Sequence, residues 1–132
     1  YGVVPDFGYG NIQLKTMGVL QNDSLVHHLL SFCLDHEVDL LLPLYPNEIE
    51  ELHKSINLFN EFNIQLLIPN NHLSTYISTV KMPNQTDWFV HFNGKILFAS
   101  NTLLIDNQFS QKMDVNGVFY LNEEHKPKLI TV

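Results

Sequence analysis

Arginine is absent from this chain of 132 residues, cysteine occurs once, and no apolar run is long. Each absence excludes something. Arginine supplies the planar fork that grips phosphates, carboxylates and guanine edges in pairs. Here every positive side chain is lysine and the net charge is −7. Such a chain is unsuited to nucleic acid, whose phosphates call for clustered positive charge. The one cysteine, Cys33, has no partner for an internal disulfide. It lies in the apolar run 29–34 and reads as a small core residue, with no histidine or acid placed to activate it. An unpaired thiol fits a reducing, cytoplasmic setting. No stretch approaches the roughly 20 apolar residues that cross a bilayer, so no membrane partner is expected. The chain opens on Tyr1 with neither methionine nor a charged-then-apolar leader. It therefore reads as a processed or trimmed chain without a secretory signal.

Hydrophobic residues make up 45% of the chain, enough for a core that hides about two thirds of the unfolded surface. The length suits one ordinary domain, or one with an appended subdomain. Residues 1–22 are irregular, with short strands expected at Val3-Val4 and within 12–20. The glycines at Gly2, Gly8 and Gly10 do not make a dinucleotide fingerprint, which needs a strand before it and a helix directly after.

From Asp23 to Asn70 the pattern is helix, strand, helix, strand. Asp23 and Ser24 suit an N-cap. Leu25, Leu29, Phe32 and His36 make a stripe that Val26, Leu30 and Cys33 widen. Residues 38–42 read as a strand ended by Pro43, and their nearly continuous apolar character predicts a parallel strand covered on both faces. A second helix opens at Pro46, where Asn47 and Glu50 have capping-box spacing. Ile49, Leu52, Ile56, Phe59 and Phe62 form its expected buried face. Asn63 suits a helix-ending position, and residues 64–68 are the second strand, stopped by Pro69. Strands that follow their helices so closely imply parallel βαβ pairing.

After a short helix expected over 72–79, the pattern becomes antiparallel. Residues 87–92, the pair Asn93-Gly94 and residues 95–99 predict a β-hairpin with a two-residue turn. A second Asn-Gly pair, Asn116-Gly117, leads into residues 118–121, and 128–132 offer a last strand. The fold class is therefore α/β: a small parallel sheet with flanking helices in residues 1–80, and an antiparallel β-rich part in residues 81–132.

Chemistry is sparse. None of the seven histidines stands at metal-ligand spacing with a carboxylate, and His27 and His28 point about 100° apart on a helix. The carboxylates sit in caps and turns without a pair suited to acid–base work. Trp88 reads as a packing residue, with His91 on the opposite face of its strand. No catalytic residue and no metal ligand is assigned. The tentative ligand residues are Pro43, Tyr45, Asn47 and Glu48, at a strand end that meets a helix start, where α/β sheets bind ligands. The neighbouring strand end adds Asn70 and Asn71.

The run 32–52, with Asp39, Pro43 and Glu48 at its centre, resembles the N-terminal domain that precedes the ATP-grasp fold. That domain occurs in carbamoyl-phosphate-synthase-like and other carboxylate–amine ligases. The segment Leu58-Phe59-Asn60-Glu61-Phe62-Asn63-Ile64 is similar to the family's "LFxEFxI" helix end, and the likeness covers about residues 22–77. The family's "PxxDxE" loop is kept only in Glu48. The resemblance implies a scaffold that partly lines a ligase substrate site. The residues after Ile77 are too few for an ATP-grasp module, so ATP and magnesium are implied only for a longer protein that carries one. The expected function is a non-catalytic ligand-binding or scaffolding module. The alternatives are an interaction protein that forms a homodimer or docks a catalytic protein through β-hairpin edges, and an excised piece of an ATP-dependent ligase.

Overall fold

The computed structural model describes residues 21–101 and 115–132. The strands expected at Val3-Val4 and within 12–20 lie outside them. Helix α1 (Asn22–Asp35) starts one residue before Asp23. Its N-cap is Gln21, whose carbonyl accepts from the Ser24 hydroxyl at 3.2 Å. Asp23 serves in the first turn instead, where its charge complements the helix dipole. Leu25, Leu30 and Cys33 are the buried residues of α1, with Val26 and Leu29 packed beside them. Phe32 stays half-buried because its ring stacks on His36 at 4.1 Å.

Strand β1 (Leu40–Leu41) pairs in parallel with β2 (Gln65–Leu66), in the register Leu40 with Gln65 and Leu41 with Leu66. The expectation that β1 is covered on both faces is not met. Leu40 and Leu42 are 45% and 40% exposed. Only the Val38–Leu41 side packs against the core, so the apolar run marks a half-covered strand.

The crossover between these strands is two helices rather than one: α2 (Pro46–Lys54) and α3 (Ile56–Glu61). Ser55 separates them, ending α2 and capping α3 with its N–H bonded to the Leu52 carbonyl. The apolar stripe continues across the break, with Ile56 packed against the same core as Ile49 and Leu52. Ile49, Leu52 and Phe59 stay buried, whereas Phe62 falls past the end of α3 and is 46% exposed. The expected capping box does not form either. Tyr45 is the N-cap, Pro46 takes the first turn, and no side chain caps the helix. Asn63 ends the helical stretch as expected, at φ 58°.

Helix α4 (Leu73–Tyr76) is a single turn, shorter than the 72–79 segment expected. The antiparallel sheet follows in the spatial order β4-β3-β5-β6, with β3 (Trp88–Phe92), β4 (Lys95–Ala99), β5 (Gly117–Leu121) and β6 (Pro127–Leu129). Asn93 and Gly94 both have positive φ, 50° and 76°, as the two-residue hairpin turn requires. Between β3 and β4 the register passes from Val90 with Phe98 to His91 with Ile96, leaving Leu97 as a bulged residue.

The two kinds of sheet share one core. Phe59, Ile64, Leu66 and Ile68 from the βαβ part belong to the same buried cluster as Phe89, Phe119 and Leu129. Tyr76 meets Phe119 edge-on at 5.5 Å, and the Lys128 ammonium donates to the Thr75 carbonyl at 2.8 Å. Further, the Val132 N–H donates to the Leu44 carbonyl at 2.9 Å, tying the β6 end to the loop after β1. No helix among the described residues is long and apolar enough to cross a membrane.

Candidate functional site

Where the βαβ part meets the turns of the antiparallel sheet, the surface opens into two cavities of about 300 and 410 Å³ that share Asn70, Asn93 and Asn116. These volumes lie at the small end of the range for small-molecule sites, roughly 300–1,000 Å³. The first cavity follows the flank of α3 and β2. Its polar lining is Asn60, Asn63, Gln65, Asn70, Asn93 and Asn116, over a floor of Ile56 and Leu66. The second adds Asn71, His72, Tyr76 and Val115. Among the described residues the lining carries no lysine and no carboxylate. It is an amide surface.

Some of these amides are explained by backbone geometry. Asn63 and Asn93 sit at positive φ, which asparagine tolerates better than most residues. Asn116 accepts the Asn93 N–H on its side-chain oxygen at 2.9 Å and so fixes the hairpin turn against the start of β5. Behind that contact His91, wholly buried, is bonded through Nδ1 to the Val115 carbonyl at 2.7 Å. Other amides have no such duty. The side chains of Asn60, Gln65 and Asn70 make no hydrogen bond among the described residues. The Asn70 carbonyl is anchored separately, accepting from His53 Nε2 at 3.0 Å.

The main chain contributes too. Gln65 and Leu67 donate to the Asp39 and Leu41 carbonyls at 2.8 Å each, so these groups of β2 face β1. Successive residues of a strand alternate their hydrogen-bonding edges. The N–H and C=O of Leu66 therefore point to the other edge of β2, and Leu66 is also one of the residues that line the first cavity.

The residues expected to bind ligand divide between two places. Asn70 and Asn71 are exposed and line the cleft. Pro43 is buried, Tyr45 is 52% exposed as the α2 N-cap, and Asn47 and Glu48 lie in the first turn of α2. None of these four lines either cavity. The sequence reading missed Asn60, Asn63, Gln65, Asn93 and Asn116, although two of them head the Asn-Gly pairs.

The two groups with shifted pKa values, Cys33 and Lys54, do not line either cavity. Burial pushes the Cys33 thiol up, away from the reactive thiolate. The hydrogen bond and charge of Glu51, 2.7 Å away, raise the exposed Lys54 ammonium. No group of three or more His, Cys, Asp or Glu able to hold a metal occurs among the described residues. The described lining residues offer neither a lysine or arginine for the phosphates of ATP nor a carboxylate for magnesium. No family model, curated protein or solved structure matches the chain.

Proposed function

We propose that the protein is a non-catalytic ligand-binding module whose ligand is small, uncharged and rich in hydrogen-bonding groups. The single observation that carries this is the amide-lined cleft at the junction, where the side chains of Asn60, Gln65 and Asn70 make no hydrogen bond among the described residues. A carboxamide donates and accepts at once and stays neutral across the physiological range. It can therefore orient a neutral ligand, but it supplies no proton, nucleophile or metal. An anion would meet no lysine among the described lining residues, on a chain of net charge −7. A scaffolding role of the kind implied by the pre-ATP-grasp resemblance is part of the same proposal, with any ATP and magnesium held by a separate module.

The test is thermal melting of the full chain in the presence of neutral ligands (maltose, a capped dipeptide) and charged ones (ATP with magnesium, citrate). A ligand that binds only the native state raises the melting temperature, because stability grows as RT ln(1 + [L]/Kd). The expected result is a rise with at least one neutral ligand and none with ATP or citrate. A rise confined to the charged ligands would overturn the proposal.

A second reading, self-association through a hairpin edge, draws on the exposure of Leu97 (59%) and Phe98 (53%) on β4, an edge of the antiparallel sheet. The bulge at Leu97 opposes it, since bulges disrupt edge-to-edge pairing. Light scattering decides between them: a mass that stays monomeric at all concentrations removes this second reading.

A further inference from the structure

Resting on the cleft as a ligand site, we propose that its occupant is the main chain of a short, uncharged, extended peptide segment. Three features converge on that chemistry. The first is the edge of β2. Its register turns the Leu66 N–H and C=O away from β1, and Leu66 lines the cavity. A strand edge offers a donor and an acceptor on one residue, and the ligand that matches both at that spacing is another extended chain. Leu66 is only 4% exposed. Its N–H and C=O have no hydrogen-bond partner among the described residues, and a buried peptide group left without a partner is costly.

The second feature is the set of uncommitted carboxamides beside that edge. Asn60 approaches from α3, while Gln65 and Asn70 bracket Leu66 along the chain. A side-chain amide is chemically a peptide group. It can donate to a main-chain carbonyl and accept from a main-chain N–H, and it reads no side chain while doing so. The third feature is that no lysine or carboxylate occurs among the described lining residues, His72 of the second cavity being the one side chain there that can take up a proton to become charged. A charged side chain or free terminus on the segment would have to be desolvated without compensation. The volume of about 300 Å³ beside Leu66 limits the segment to a few residues with small side chains.

The occupant differs from a sugar in one testable respect. Main-chain recognition needs the peptide N–H, whereas hydroxyl recognition does not. The experiment uses the full ¹⁵N-labelled chain and three probes: acetyl-Thr-Val-Thr-amide, its analogue with an ester oxygen in place of the valine N–H, and maltose. The expected result is that the tripeptide shifts the amide signals of Leu66, Asn70 and Gly94, and that the ester binds about tenfold more weakly for want of one hydrogen bond. Asn70→Leu keeps the carbonyl that His53 uses and should also weaken the tripeptide about tenfold, with the spectrum otherwise dispersed as in the wild type.

Equal binding of ester and amide would overturn the main-chain proposal. Shifts of the cleft amides by maltose but not by the tripeptide would also overturn it, while leaving the cleft as a ligand site. Failure of all three probes to move any cleft signal would overturn both.

Discussion

Gly117 stands at the first position of β5, next to the cleft residue Asn116 and against the centre of the core. A Cβ built there would lie 2.7 and 2.8 Å from ring carbons of Phe119 and 2.9 Å from Leu129 Cδ2. Carbon atoms pack at roughly 3.5–4.0 Å, so a methyl group at this point overlaps both neighbours. Phe119 has no room to retreat. It is 0% exposed and flanked by Phe89 at 5.8 Å and Tyr76 at 5.5 Å. Overpacking of this sort costs about 1–3 kcal/mol. The backbone adds to it, because Gly117 has φ 155°, a conformation that L side chains rarely adopt; sparsely populated backbone costs of order 1 kcal/mol or more.

Gly117→Ala should therefore destabilise the protein by about 2–4 kcal/mol, a large share of the roughly 5–15 kcal/mol that holds a domain together. Equilibrium urea unfolding followed by circular dichroism measures it. With a slope of about 1–3 kcal/mol per molar urea, the midpoint should fall by roughly 1–2 M at unchanged slope. Phe119→Leu placed in the same chain makes space for the methyl. The double variant should be less destabilised than the sum of the two single ones, by a coupling of about 1 kcal/mol. A midpoint within about 0.3 M of the wild type, at an ordinary urea slope, would refute the steric account, and strict additivity would exonerate Phe119.

Three further outcomes are expected. Phe59→Ala removes a wholly buried ring from the crossover and should cost about 3–5 kcal/mol in the same assay; a loss below about 1 kcal/mol would mean that the site collapses around the gap. Asn116→Leu removes the acceptor of the Asn93 N–H and should cost about 1 kcal/mol, with faster hydrogen exchange at the Asn93 amide; unchanged exchange would show that the turn does not depend on that bond. Cys33 supplies a pH signature. Because burial raises its folded-state pKa, the native state holds the thiol proton more tightly than the unfolded chain does. Stability should then be complete below the ordinary thiol pKa, about 8.5, and decline as pH climbs through and above it. Cys33→Ala should remove that part of the decline between pH 7 and 10 in urea midpoints, and an identical profile in both proteins would count against a buried thiol.

The elements that sequence alone located well are those specified by neighbours in the chain. The β3–β4 hairpin was legible because Asn93-Gly94 meets a local demand for positive φ between two alternating runs. The parallel pairing of β1 with β2 was legible because an apolar run, a helix and another apolar run succeed one another. What failed was the placing of helix ends. Phe62 continues the helical stripe on paper, but α3 ends at Glu61 and leaves Phe62 past the helix and exposed. The capping-box spacing at Asn47 lost to Pro46, which claims the first helical turn outright.

The cleft was only partly legible, for a different reason. Asn70 and Asn71 were visible as residues at a strand end. Asn93 and Asn116 reach the same place only through the pairing of β3 with β5, an association far apart in sequence. No periodicity within the βαβ run points to them.

The shared core also governs how the cleft can move. Phe59 and Ile68 on one side are packed in one cluster with Phe89 and Phe119 on the other, so among the described residues the two walls are joined by a shared core. A mouth built across a continuous core does not close over its guest; it presents a fixed gap. Selection then works by fit at first encounter, with no slow conformational step ahead of binding. The arrival of a ligand should accordingly follow simple one-step kinetics, its rate rising linearly with ligand concentration.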